Sequence, residues 1–412
     1  MTKYVARPIR FRNGERFFVL SGPNGLPVHE VTLFLGTFRT RGLAANTIRY
    51  ACVALALLYR TLGEVDLLAR LRSGKFLSSA ELGRLTSSAQ YRIDELIRPS
   101  AHRSHKVVDI RKIAMRRKAT AAQVNAVVKD THSSRLRYIA NFLEYLVDYV
   151  HSGLPMEQQR EFKNRCAEEI AKFRAAIPKT SRNAKLGKRQ GLPREIEDRL
   201  LSVIDPLSTN NPWHHPFVRE RNWIIFVLML GLGIRIGELL GVELADLDLA
   251  TCKVRIVRRA DAVEDPRLEQ PNPKTRDREL ELRPGIMKRL VAYISDRRHL
   301  RFAAFHPKLI VTDDGKAISM SAAQKMFADL RRVCPWLPDH FTSHGLRFTW
   351  NDRFSEKADE LGINDAHEAS ARNEQQGWSE NSKSAAVYTR RSSAAIGRSL
   401  SLKLQEKLDA EI

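Results

Sequence analysis

Cysteine is scarce. Cys52, Cys166, Cys252 and Cys334 lie far apart and form no CxxC pair, which argues against a disulfide framework and against a thiolate zinc site. Long apolar runs are also missing. The longest, Ile224 to Leu232, is about half a membrane span. The opening MTKYVARPIRFRNGERFF is basic but lacks the apolar centre of a secretory signal. There is no GxxxxGK[ST] loop and no metal-ligand cluster, so no cofactor and no metal is expected. Solenoid-length repeats and low-complexity tracts are absent too, which sets solenoid architectures aside. What these absences leave is a soluble protein of a reducing compartment, expected in the cytoplasm and without a membrane partner.

Against this stands a large excess of one charge. Lys and Arg number 69 and Asp and Glu 47, a net +22. Such an excess favours a polyanionic partner, nucleic acid first, over a basic surface that binds nothing. Hydrophobic residues at 43% and charged residues at 28% are near globular averages, so most of the chain should fold. Its 412 residues exceed one ordinary core and imply two or three domains.

The opening stretch, residues 1–28, holds strand-like and turn-like pieces (RFFVLSGPNGLPVHE). From Val31 to Leu68 the apolar spacing predicts two amphipathic helices broken at Arg41-Gly42, the second capped by Asn46 or Thr47. Ile139, Phe142, Leu143, Leu146, Val147 and Val150 form a further helical stripe within Thr131 to Val150. Residues 29–177 thus read as one helical domain. In HRSHKVVDIRKIAMRRKAT seven basic residues, among them Arg111, Lys112, Arg116 and Arg117, meet the single acid Asp109. That density suits phosphate contacts or, equally, a solvated helix face.

Residues 178–194, PKTSRNAKLGKRQGLPR, carry six basic residues, no acid, two prolines and two glycines. This is a linker composition, and Lys185, Lys188 and Arg189 would meet the phosphate backbone if the domains close around a duplex. Beyond it, residues 195–391 read as helices around one small sheet, with strands expected at Val254 to Val257, Glu279 to Leu282 and Leu309 to Thr312. Residues 392–412 follow as a C-terminal helix or tail. The fold class is mainly α, with an α+β second domain holding a small antiparallel sheet.

Three segments carry chemistry. In GLGIRIGELLGVELADLDL, Arg235 follows a glycine-bracketed turn at a helix start, where its fork of donors suits a phosphate and stays charged. In Ser343-His344-Gly345-Leu346-Arg347, the His and the second Arg share one helix face if the segment is helical. The imidazole can exchange protons with a bridging oxygen while Arg347 neutralises non-bridging ones. In GWSENSKSAAVYTRR, Trp378 and Tyr388 follow a glycine, and Arg390 and Arg391 flank the phenol. Cationic neighbours favour the phenolate, the nucleophilic form of this group. Each segment alone has an ordinary structural explanation.

An Arg, then HxxR, then Tyr in this order resembles the tyrosine recombinase (phage integrase) family. Gly233, Arg235, Glu238, Leu239 and Asp246 match a first box; His344, Leu346, Arg347, Gly377 and Tyr388 match a second. RGLAANTIRYACVALALLYRTLG is similar to the family's helical core-binding domain through Asn46, Thr47, Ile48 and Tyr50, while residues from about 76 to 130 resemble an insertion.

The resemblance implies a site-specific recombinase or integrase, serving a mobile element. Arg235 and Arg347 would bind the scissile phosphate, and Tyr388 would attack phosphorus, leaving a 3′-phosphotyrosyl bond and a free 5′-hydroxyl. His344 would assist proton transfer. Lys274, in PKTRDRELEL, matches the family's strand lysine that protonates the leaving oxygen, with Lys253 in reserve. Trp378 stands where many members have a second His, and its indole can donate a hydrogen bond but cannot exchange a proton. It lies ten residues before Tyr388, one more than a frequent family spacing. Glu238 and Asp246 are expected to support the site from behind, Glu238 by holding Arg235, or else to serve in helix capping and surface pairing.

The resemblance also implies a partner, double-stranded DNA with specific recombination sites, held by a homotetramer that passes through a Holliday junction, with accessory recombination proteins in some systems. Residues 392–412 would dock on a neighbouring protomer or pack on their own domain. A type IB topoisomerase-like nicking and resealing enzyme and a non-catalytic basic DNA-binding protein are the rival readings.

Overall fold

Strand-forming residues open the chain: β1 (Val5–Arg10) and β2 (Arg16–Ser21) pair antiparallel with Ile9 opposite Phe17. The piece RFFVLS forms the expected strand, and β1 is its added partner. In the computed structural model the described residues are 4–63, 65–91, 126–151, 156–179, 191–271, 275–379, 382 and 401–402. They fall in two compact units, Met1–Phe11 with Arg16–Ala184, and Arg12–Glu15 with Lys185–Ile412.

In the first unit, α1 (His29–Thr40) buries Val31, Phe34, Leu35 and Phe38, a spacing of three and four that puts them on one face. The helix stops before Gly42, whose φ is +66°. Next comes α2 (Ala45–Leu62), which starts at Ala44 rather than being capped by Asn46 or Thr47. The Ala44 carbonyl already accepts from Thr47 N at 2.8 Å, so Asn46 and Thr47 lie in the first turn and no side chain caps it. After α3 (Leu67–Arg72), a Ser78/Glu81 capping box starts α4 (Ser79–Ser88).

The predicted stripe is carried by α5 (Lys129–His151), whose Ile139, Phe142, Leu143, Leu146, Val147 and Val150 are all buried. The Phe34 ring meets Phe142 edge-on at 5.3 Å, which ties α1 to α5. Finally, α6 (Met156–Ala175) packs along α5 through Phe162, Cys166 and Ile170.

The second unit contains α7 (Arg194–Ile204), α8 (Pro216–Leu232) and the single-turn α9 (Ile236–Leu239). A three-stranded antiparallel sheet follows, β3 (Leu247–Asp248), β4 (Lys253–Ile256) and β5 (Arg278–Glu281), in that order. Then come α10 (Pro284–Arg298), α11 (Met320–Val333), α12 (Ser343–Glu360) and α13 (Asp365–Gln376). The apolar run of α8 is buried nearly all round: Ile224, Ile225, Phe226, Leu228 and Met229 sit in the core, and Phe226 meets Phe327 at 5.0 Å.

Two of the expected strands lie within a residue or two of β4 and β5, but Leu309 to Thr312 is not a strand. It makes one isolated antiparallel bridge, Val311 with Ala317, and its other backbone groups find separate partners. Tyr293 Oη donates to the Leu309 carbonyl and accepts from Val311 N, both at 3.2 Å, and a tight turn joins Thr312 N to the Lys316 carbonyl at 2.8 Å. The third strand is instead β3, two residues long. The protein is mainly helical with small antiparallel sheets, and among the described residues no helix is long and apolar enough to cross a membrane.

Candidate active site

The site begins where α8 ends. Gly233 adopts φ +63°, and a Cβ there would lie 2.4 Å from the Trp350 ring and 2.7 Å from Gln376 Nε2. Only glycine fits both the conformation and the space. The chain turns through buried Ile234 into Arg235, the extended residue that precedes α9. Glu238, one turn on, accepts from the Arg235 backbone N at 3.0 Å and from its Nη1 at 2.9 Å. One carboxylate thereby fixes both the backbone and the guanidinium of Arg235, which stays about one-third exposed.

The α12 helix packs against α8 and brings the second arginine to this turn. Ser343 to Arg347 is its first turn, so His344 and Arg347 share a face, as expected. His344 is exposed. Arg347 is buried at 1% exposure and donates through Nη1 to the Gly233 carbonyl at 2.5 Å. Behind it Asn351 Nδ2 donates to the Arg347 carbonyl at 2.8 Å, and Arg372 Nη1 donates to Asn351 Oδ1 at 2.9 Å. Arg372 is in turn held by Ser355 and Glu368, a buried polar ladder along α12 and α13.

Gly377 ends α13 with φ +63°, and Trp378 N donates back to the Asn373 carbonyl at 2.8 Å. That closure folds the Trp378 ring over Arg347, with Cζ 5.2 Å from the ring centroid. Arg235, Arg347, Trp378 and Glu238, four residues 143 positions apart at their extremes, are thus gathered at one end of α8.

A further set fixes this cluster from the sheet side. Arg278, at the start of β5, donates through Nη2 to Glu238 Oε2 at 2.8 Å and through Nε to the Gln375 carbonyl at 2.8 Å. Thr275 Oγ1 donates to Glu238 Oε1 at 2.8 Å. Arg276 N donates to the Gly377 carbonyl at 2.9 Å, and its guanidinium grips the Trp378 carbonyl. Burial alone would raise the Glu238 carboxyl, but Arg278, with Arg347 and Arg235, holds it down at about 2. Arg278 and Thr275 were not anticipated. The signal was available in the alternation of β5: counting back from buried Leu280 places Arg278 on the inner face.

Asp246 and Lys253 have other partners. Asp246 is buried but holds Arg259, with contacts of 2.6 and 2.8 Å, and accepts from Glu243 N at 2.9 Å. Lys253 pairs with Glu279 across the sheet at 2.7 Å. Lys274, Tyr388, Arg111, Lys112, Arg116, Arg117, Lys185, Lys188 and Arg189 fall outside the described residues, as does nearly all of 392–412.

Residues 214–366 match the model of the phage integrase family, a span that takes in Arg235, Lys274, His344 and Arg347. The chain therefore carries a phage integrase domain, the domain of tyrosine recombinases. Among solved structures it is similar to the Tn1549 transposon integrase in complex with circular intermediate DNA, at 15% identity over 80% of this chain and 97% of that one, TM-score 0.41. It is also similar to the XerH site-specific recombinase bound to palindromic difH substrate, at 13% identity over 86% and 96%, TM-score 0.41, and to the XerA recombinase, at 12% identity over 87% and 91%, TM-score 0.34. No curated protein matches the chain.

Proposed function

We propose that this protein is a site-specific tyrosine recombinase of a mobile element, which cleaves and rejoins DNA through a 3′-phosphotyrosyl intermediate. The observation that carries the reading is the gathering of Arg235 and Arg347, both inside the phage integrase match, with Trp378, which follows it, at one end of α8. Two guanidinium groups flanked by an indole suit a scissile phosphate, whose charge grows as the pentavalent state forms.

In this mechanism the Tyr388 oxygen forms a bond to phosphorus while the bond to the 5′-oxygen breaks. Arg235 and Arg347 neutralise the non-bridging oxygens, and His344, exposed one turn before Arg347, assists the proton leaving the phenol. Lys274 protonates the departing 5′-oxygen. Its neighbour Thr275 is bonded to Glu238, which supports that assignment. The reverse attack by a 5′-hydroxyl reseals the strand, so the phosphodiester energy is kept and no cofactor is used.

The partner is double-stranded DNA carrying specific sites, bound by a homotetramer in the cytoplasm, with accessory proteins where the site demands them. Residues 29–177 form the core-binding domain, 178–194 the basic linker and 195–391 the catalytic domain, with 392–412 reaching a neighbouring protomer.

The test is covalent trapping on a nicked duplex built from the junctions that flank the encoding gene. Wild type is expected to give a DNA-linked band on a denaturing gel and Tyr388→Phe none, with equal DNA binding. A bound duplex that gives no adduct with wild type would refute the reading.

A further inference from the structure

Glu238 has a second ionic partner that the recombinase reading does not use. Its side chain is fully enclosed and meets Arg235 Nη1 at 2.9 Å and Arg278 Nη2 at 2.8 Å. The two arginines differ in surroundings. Arg235 keeps about a third of its side chain open, whereas the Arg278 side chain is about 2% exposed, bonded to Glu238, Thr275 and the Gln375 carbonyl. Arg278 is therefore closed off from any substrate, and its charge is spent on the carboxylate.

A carboxylate that orients an arginine also cancels it. If Glu238 faced Arg235 alone, the pair would be close to neutral, and a phosphate arriving there would meet mainly Arg347. With Arg278 present, the three guanidinium groups and one carboxylate leave a net positive site in low-dielectric surroundings, where such charge acts strongly.

We infer that Arg278 is a positioning residue of strand cleavage: it neutralises Glu238, so that this carboxylate can orient Arg235 without cancelling the charge Arg235 offers to the scissile phosphate. This inference rests on the recombinase reading. Arg278 also joins β5 to the end of α13 through the Gln375 carbonyl, and a purely mechanical role there must be told apart from the electrostatic one.

The experiment measures single-turnover adduct formation by the full-length protein, at saturating concentration, on a nicked duplex from the flanking junctions that it demonstrably binds. Arg278→Gln is expected to slow the step on the order of 100-fold with DNA affinity little changed. The double variant Arg278→Gln with Glu238→Gln, which removes both charges, is expected to recover about tenfold of that loss. Mechanical support would give no such recovery, because the double variant loses more contacts than the single one.

Arg278→Lys keeps the charge but loses the fork of donors, and is expected to stay within about tenfold of wild type. Should Arg278→Gln fail to fold in a thermal melt, the lysine variant decides: a folded Arg278→Lys slowed on the order of 100-fold overturns the electrostatic role. So does a double variant no faster than Arg278→Gln, or an Arg278→Gln as fast as wild type. Wild type that binds the duplex and gives no adduct removes the recombinase reading and this inference together. Wild-type adduct with indifferent Arg278 variants removes the inference alone.

Discussion

Replacing Glu238 by glutamine removes a charge that several cations share, and the cost can be worked out as a function of pH. Burial raises this carboxyl, and Arg278, Arg347 and Arg235 together lower it more, so that it sits at about 2 against an ordinary 4.5. At about 1.4 kcal/mol for each decade of proton affinity, holding it there contributes about 3 kcal/mol to the second unit near neutral pH. The folded value is the depressed one. The contribution is therefore complete above 4.5 and is lost as the pH falls from 4.5 toward 2. Wild type should exceed Glu238→Gln by about 3 kcal/mol near pH 6, and the gap should close by about 1.4 kcal/mol for each further pH unit below 4.5. All five tryptophans, Trp213, Trp223, Trp336, Trp350 and Trp378, belong to the second unit, so urea unfolding followed by tryptophan fluorescence reports on it selectively. A gap that stays constant from about pH 6 to 3.5 would show that the ionised carboxylate is not what Arg278 stabilises.

Three further outcomes are expected. Gly233→Ala forces a left-handed alanine against the Trp350 ring and should cost at least about 2 kcal/mol by the same fluorescence measurement; an unchanged midpoint would contradict the packing at the end of α8. Asp246→Asn weakens the grip on Arg259 and should lower the melting temperature while leaving single-turnover cleavage at the wild-type rate, and slowed chemistry in a folded variant would return Asp246 to the site. Phe142→Ala opens the first core between α1 and α5 at a cost of about 3–5 kcal/mol. It should melt the first unit, seen as a loss of helical circular dichroism ahead of any change in tryptophan emission.

What could be read from the sequence follows from how local each signal is. The stripe of α5 and the break at Arg41-Gly42 rest on spacing within a few turns, and both are present in the fold. Arg235, Arg347 and Glu238 could be singled out because a turn glycine, an HxxR step and an i, i+3 carboxylate are short-range patterns. Arg278 could not be found in the same way. The alternation of β5 could place it on the inner face, but its partners, Glu238 forty positions earlier and the Gln375 carbonyl far downstream, leave no local trace. Leu309 to Thr312 misled for the opposite reason: its apolar composition marks burial, but it makes one isolated bridge, Val311 with Ala317, and bonds to Tyr293 in place of a continuous ladder. The two-residue β3 is too short to leave any periodic trace.

The double grip of Glu238 on Arg235 also bears on entropy. A free arginine carries about 2 kcal/mol of rotamer freedom, which a ligand must freeze before a forked contact can form. Here the fold has already removed much of it, since the backbone N and the guanidinium of Arg235 answer to the same carboxylate. A phosphate reaching the end of α8 would meet a receptor whose disorder was lost when the chain folded, and more of its binding energy would be left for the chemistry.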